Sequence, residues 1–165
     1  MEEKKFSASL DTATKVVTVA LIVLVTIIPA AILFVRQQGD PLGPLAVPLI
    51  IIVVFAIIFE YRVLDYSISP FEVIIRRSAG NVILKRDQIA GVELLASDQL
   101  RWSIRTFGVG GFFGYFGSFY NKRMGAMTWY LTRRDKLVLI TTATGKKIVI
   151  SPDDPEGFVA AAKLT

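Results

Sequence analysis

Residues 16–35 read VVTVALIVLVTIIPAAILFV, an unbroken run without a charge. Its only polar members, Thr18 and Thr26, carry hydroxyls that can bond back to a helix backbone. At about 1.5 Å per residue, such a run matches the roughly 30 Å hydrocarbon core of a bilayer. Pro29 lies inside it, and membrane helices tolerate a proline there. A second apolar run, Leu42–Phe59, closes on Glu60-Tyr61-Arg62. Pro44 and Pro48 fall near its start, where a missing N–H costs little. The connector, Arg36 to Pro41, is polar and turn-rich, and so short that the two helices must run antiparallel. The expectation is a transmembrane hairpin over residues 16–60, with helices at 16–35 and 42–59, preceded by a segment 1–15.

Two other readings fit the apolar runs less well. A secretory signal has a shorter apolar core and a small-residue cleavage site, whereas here the first run is long and a second follows at once. A buried core helix would carry a polar stripe, and neither run has one. Lys4, Lys5 and Lys15 precede the hairpin, and Arg62, Arg76 and Arg77 follow it, against Arg36 alone in the connector. The positive-inside rule then places both termini in the cytoplasm, as a multi-pass protein of the inner membrane.

Composition agrees with this division. Of the 165 residues, 53% are hydrophobic, with the excess lying before Tyr61. There is no cysteine and no histidine. This excludes disulfides, the common Cys/His zinc sites and Ser-His or Cys-His nucleophile pairs. From Arg62 onward, 15 Lys and Arg face 9 Asp and Glu. A basic surface suits nucleic acid or anionic lipid, and for a tethered domain the lipid bilayer is the nearer partner. No nucleic acid partner and no cofactor or metal are expected.

Beyond Arg62 the pattern changes to short strands. Phe71, Val73 and Ile75 alternate with Glu72, Ile74 and Arg76. Val82–Arg86 and Val92–Ala96 are β-prone, and Ser78–Asn81 reads as a turn. Met127–Arg133 alternates, Arg134-Asp135 turns the chain into Leu137–Thr142, and Thr144-Gly145 turns it into Lys147–Ile150. After Ser151-Pro152, Asp153 offers a helix cap with Glu156 three residues on. Phe158 and Ala162 then share one face of a helix over about 153–164. The expected fold class is α+β, mainly β: the hairpin, then an antiparallel β-barrel or sandwich of six or seven strands over 63–165, capped by a C-terminal helix.

One segment stands out. Arg105–Asn121 holds five glycines and seven aromatics. It is not a nucleotide loop: Phe113 stands where G-x-G-x-x-G needs glycine, and no Gly-Lys-Ser/Thr follows. On one reading, Gly108, Gly110, Gly111, Gly114 and Gly117 give bends and close backbone approach while the aromatics pack on the barrel. On the other, Phe112, Phe113, Tyr115 and Phe116 sit at lipid headgroup level, with Arg101, Arg105, Lys122 and Arg123 meeting anionic headgroups. These eight residues form the candidate membrane or partner surface. Asp98, Arg101, Arg105, Asn121, Lys122 and Asp135 make no spaced acid/base pair, so no enzyme is expected and no catalytic residue is named.

The pattern Phe107-Gly-x-Gly110-Gly-x-x-Gly114-Tyr-Phe-Gly117, then Asn121, Gly125, Tyr130-x-Thr132 and Ile150-Ser-Pro152-x-Asp154-Pro-Glu-x-Phe158, resembles a bacterial pleckstrin-homology-like (PH) domain family. The resemblance covers about residues 63–164, and its members often carry N-terminal membrane helices. It implies a PH-like barrel with the C-terminal helix plugging one end, and it brings no catalytic residues. The basic-loop phosphoinositide motif of eukaryotic relatives is not recognisable. The function expected is a non-enzymatic, membrane-anchored interaction module that presents a basic surface to a protein partner or anionic lipid. The alternative is an accessory or regulatory subunit docked through the hairpin.

Overall fold

The computed structural model describes residues 3–35 and 43–163, with side chains except at 32–35 and 43–48. The expected connector Arg36–Pro41 lies outside the described residues. The chain begins with a strand, β1 (Lys4–Ser7), followed by two helices, α1 (Thr12–Val35) and α2 (Gly43–Glu60). Strands β2 (Val63–Ile68), β3 (Glu72–Arg77), β4 (Val82–Lys85) and β5 (Ile89–Leu95) come next. They lead into β6 (Ile104–Gly110), β7 (Tyr115–Asn121), β8 (Gly125–Leu131), β9 (Leu137–Thr142) and β10 (Lys147–Ile150). Helix α3 (Pro155–Lys163) ends the described chain.

The strands form two sheets. One has the order β1-β2-β3-β4 and the other β5-β9-β10-β8-β7-β6. Of the expected antiparallel barrel or sandwich of six or seven strands, the barrel is corrected: the two sheets are not closed into one, and nine strands lie between residues 63 and 150. One pairing is also parallel. The β9–β10 hairpin lays β10 between β9 and β8, so β10 is antiparallel to β9 but parallel to β8, with Lys147 opposite Met127.

Both faces of the larger sheet are covered, which explains the continuous Leu137-Val-Leu-Ile140 run in β9. Val138, Ile140, Ile148 and Ile150 pack with Tyr66, Val73 and Ile75 of the smaller sheet and with Phe158 of α3. On the other face, Trp129, Leu131, Leu137 and Leu139 pack with Leu95, at the end of β5, and with Leu100, in the crossing from β5 to β6.

Helix α3 starts one residue later than the Asp153 cap implies. Asp154 is its cap: Gly157 N donates to Asp154 Oδ1 at 2.9 Å, with Pro155 in the first helical position. Asp153 is used elsewhere, as described below.

Helix α1 contains a stretch, Thr12–Ala31, long and apolar enough to cross a membrane, and its side chains are mostly exposed. In α2 the apolar stretch with described side chains is Leu49–Glu60, shorter than a span. One full-length candidate span is therefore established among the described residues, where the sequence leads one to expect two.

The segment before α1 is part of the sheet. Strand β1 pairs antiparallel with β2, Phe6 opposite Tyr66 and Ser7 opposite Asp65. Phe6 is buried, so the helical excursion over residues 12–60 leaves from one strand and returns to its immediate neighbour.

Candidate functional site

The helices are anchored at their base by a polar network. Asp11 Oδ1 accepts from Thr14 N at 2.7 Å, capping α1, and Asp11 N donates to the Thr132 carbonyl at 3.4 Å. Thr132 N donates in turn to Ser151 Oγ at 2.8 Å. Ser151 N donates to the Tyr66 hydroxyl at 3.1 Å, and that hydroxyl donates to the Tyr130 carbonyl at 2.7 Å. Burial pushes the Tyr66 phenol up to about 12, which keeps it protonated as a donor. Asp153 gathers Ser9 N and Oγ from the linker before α1, together with Arg133 Nη1 at 3.1 Å. Burial alone would raise the Asp153 carboxyl, but the Ser9 and Arg133 hydrogen bonds outweigh it and hold the group below the ordinary aspartate value. Tyr130-x-Thr132 and Ser151-Pro-Asp153 are thus the clasp that holds the helical excursion to the sheets.

The glycine-rich segment is the β6–β7 hairpin, and its tip docks on the helices. Phe113 N donates to Thr18 Oγ1 at 3.0 Å. Thr26, by contrast, bonds back to Ile22 O and Val23 O as expected of a helix threonine. The Phe112 ring stacks on Phe55 at 5.6 Å, and Phe113 meets Phe59 edge to face at 5.1 Å. Phe116 is buried and Tyr115 half-buried.

Three glycines are demanded by geometry: Gly114, where positive φ and the Leu131 carbonyl leave no room for a Cβ, and an opposed pair. Gly108 and Gly117 sit opposite one another in the β6–β7 register. Each has positive φ, and a Cβ on either would collide with the facing carbonyl oxygen, that of Phe116 or Phe107. Gly114 and Gly111 flank the tip, and Gly110 has ordinary φ with room for a side chain.

Three of the four cations named from sequence fall elsewhere. Arg101, Lys122 and Arg123 gather at the open end of the hairpin, around the Ile104–Tyr120 pair. The tip lies beyond the Gly110–Tyr115 pair at the other end. A seven-residue strand at about 3.3 Å per residue separates the ends by roughly 20 Å. Arg105 points along β6, its guanidinium near Gly110. The hairpin therefore divides the candidate residues: Phe112 and Phe113 on the helices, Arg101, Lys122 and Arg123 in an open recess of about 500 Å³. Trp102, Ile104 and Tyr120 line that recess too. Sequence reasoning missed them, although the Arg101-Trp102 step directly before β6 was a usable signal.

Three further cations stand on aromatic rings near the base of the helices. The Arg62 guanidinium lies 3.5 Å over Phe59. Arg77 lies between Tyr61 and Tyr130, at 5.6 and 5.4 Å, and Arg134 between Tyr115 and Trp129, at 5.5 and 5.7 Å. Among the described residues, no group of three carboxylates converges as a metal site would require.

The family model for the bacterial PH domain matches residues 64–164. The chain belongs to this family. PH domains are protein- and lipid-interaction modules, and membership points to that class of role rather than to catalysis. No curated protein and no solved structure matches the chain. Within this PH domain, β1 comes from outside the matched stretch, so the helical excursion interrupts the structural unit between its first two strands.

Proposed function

We propose that the chain is a non-enzymatic interaction module held at the cytoplasmic face of the inner membrane by a two-helix hairpin. The observation that carries this reading is the pairing of β1 with β2. If α1 crosses the bilayer, α2 must cross back, because β2 has to lie beside β1. At about 1.5 Å per residue, the eighteen residues of α2 reach about 27 Å, near the thickness of a thin hydrocarbon core. The same pairing speaks against a cleaved signal, since cleavage after α1 would remove a strand from the sheet. Arg62, Arg77 and Arg134, braced on aromatic rings at the base, suit anionic headgroups at the leaflet surface. The opposite end of the domain is then free for a protein partner.

The chain contains no cysteine, so single cysteines report topology cleanly. Gln38→Cys should react with a membrane-impermeant maleimide on intact cells, and Lys146→Cys only after permeabilisation. Carbonate washing should leave the protein in the membrane. Release by carbonate, or a Gln38→Cys that stays unlabelled until permeabilisation, would overturn the reading.

A further inference from the structure

Trp102 is the most exposed large apolar residue among the described residues, 85% accessible, and its backbone is left-handed at φ 62°. A bulky residue held in that region is strained, and here the strain puts an indole into solvent. The scaffold that holds it is rigid. Asn121, 4% exposed, donates to Gln99 O and Ser103 Oγ, both at 2.9 Å, and accepts from Met124 N at 2.6 Å. That one side chain ties the turns on both sides of the recess. Ile104 and Tyr120, 64% and 44% exposed, continue the apolar wall. Arg101, Lys122 and Arg123 rim it, with one carboxylate near them, Asp98, 3.9 Å from Arg123 and largely exposed.

From this juxtaposition we propose that the recess between the start of β6 and the end of β7 binds an acidic segment of a partner protein, carrying an apolar side chain that seats against Trp102, Ile104 and Tyr120. This rests on the interaction-module reading above and names its partner class. Charge complementarity selects the occupant: three cations repel a second copy of the same face and favour carboxylates. Tryptophan and arginine are the residues in which interface energy concentrates. Distance from the helices disfavours lipid, because the recess lies at the far end of the hairpin whose tip docks on α1 and α2. The Trp102 and Tyr120 rings would also stack bases, and the oligonucleotide arm of the test below separates that occupant from an acidic peptide. Strand β6 is an edge strand, but its register shifts between Arg105 and Phe107. A bulge blunts strand addition, so capture is led by side chains.

The test uses the full chain in phosphatidylcholine nanodiscs and a library of short random peptides. Selection should enrich peptides with several Asp or Glu around an apolar anchor, and their binding should blue-shift Trp102 emission. The triple variant Arg101→Glu, Lys122→Glu, Arg123→Glu should weaken the selected peptides at least about tenfold. Trp102→Gly, which keeps the left-handed backbone, should do the same. Both variants change exposed side chains, so unchanged melting certifies the fold. No enrichment, enrichment of non-acidic peptides, or equal binding to the triple variant would overturn the proposal. So would a Trp102 shift caused by phosphatidylglycerol nanodiscs alone, or preferential binding of a deoxythymidine oligonucleotide. Stable insertion into the nanodisc without peptide binding would sink this proposal and leave the membrane-tether reading standing.

Discussion

Phe6 of β1 and Phe158 of α3 meet edge to face, their ring centroids 5.1 Å apart, and both are buried. One lies ahead of the helical excursion and the other in the last helix, so the first and last elements close the same core. Phe6→Ala should therefore cost about 3–5 kcal/mol, as buried phenylalanine truncations do. A fragment of residues 63–165 lacks β1 and should melt lower than a version with residues 3–10 joined ahead of Val63. Circular dichroism melts of the two fragments check this, and equal midpoints would show β1 to be dispensable.

The Gly108–Gly117 pair separates a required glycine from a permissive one. Gly108→Ala or Gly117→Ala should destabilise by about 1–3 kcal/mol from backbone strain alone, and the collision with the facing carbonyl adds to it. The two should not add in the double variant, since the sites face one another and one separation of the strands accommodates both side chains. Gly110→Ala should stay within about 0.5 kcal/mol, because its Cβ would meet nothing nearer than the Arg105 side chain at 3.5 Å. Denaturant melts of the three single variants distinguish the sites, and a Gly110→Ala loss equal to that of Gly117→Ala would refute the distinction.

Local signals made part of this architecture legible. Strands β9 and β10 are apolar runs bounded by turn residues, and both appear where the sequence places them. The final helix is legible from Pro155 and Phe158, though its cap moves by one residue because Asp153 is drawn to Ser9 and Arg133. Strand β1 is not legible: Lys4-Lys-Phe-Ser7 buries one side chain, and its partner lies beyond both helices. Strands β6 and β7 are masked by the glycines that let them approach. The parallel β8–β10 pairing rests on contacts no local pattern encodes. At the candidate site, the cations were visible as charges, but Trp102 became notable only once its exposure and left-handed backbone were known.

Thr18 offers a test of the docked hairpin tip. It is 8% exposed and its hydroxyl accepts the Phe113 amide. Thr18→Val keeps the shape and leaves that amide without its partner, a loss of about 1–3 kcal/mol if the site stays dry. Hydrogen exchange should quicken at the 111–114 tip and stay unchanged in β8 and β10. Unaltered protection of Phe113 would mean that the tip is held by the Phe55 and Phe59 rings alone.

Asp153 makes the clasp sensitive to acid. Its folded pKa lies below the ordinary aspartate value, as does that of Asp135, which the Arg133 guanidinium pulls down. A carboxyl depressed on folding binds its proton less readily in the native state than in the unfolded chain. Its contribution is complete above the unfolded value, near about 3.9, and is lost as pH falls through the lower folded value. The melting temperature of the full chain should thus be level at neutral pH and fall on acidification below about pH 4. Asp153→Asn keeps the side-chain shape but removes the charge that gathers Ser9 and Arg133. It should melt below wild type at neutral pH and show a shallower acid slope, the remainder coming from Asp135 and the other carboxylates. An Asn variant with the wild-type slope would show that Asp153 contributes nothing to acid sensitivity and that the clasp is held by Ser151 and Tyr66 instead.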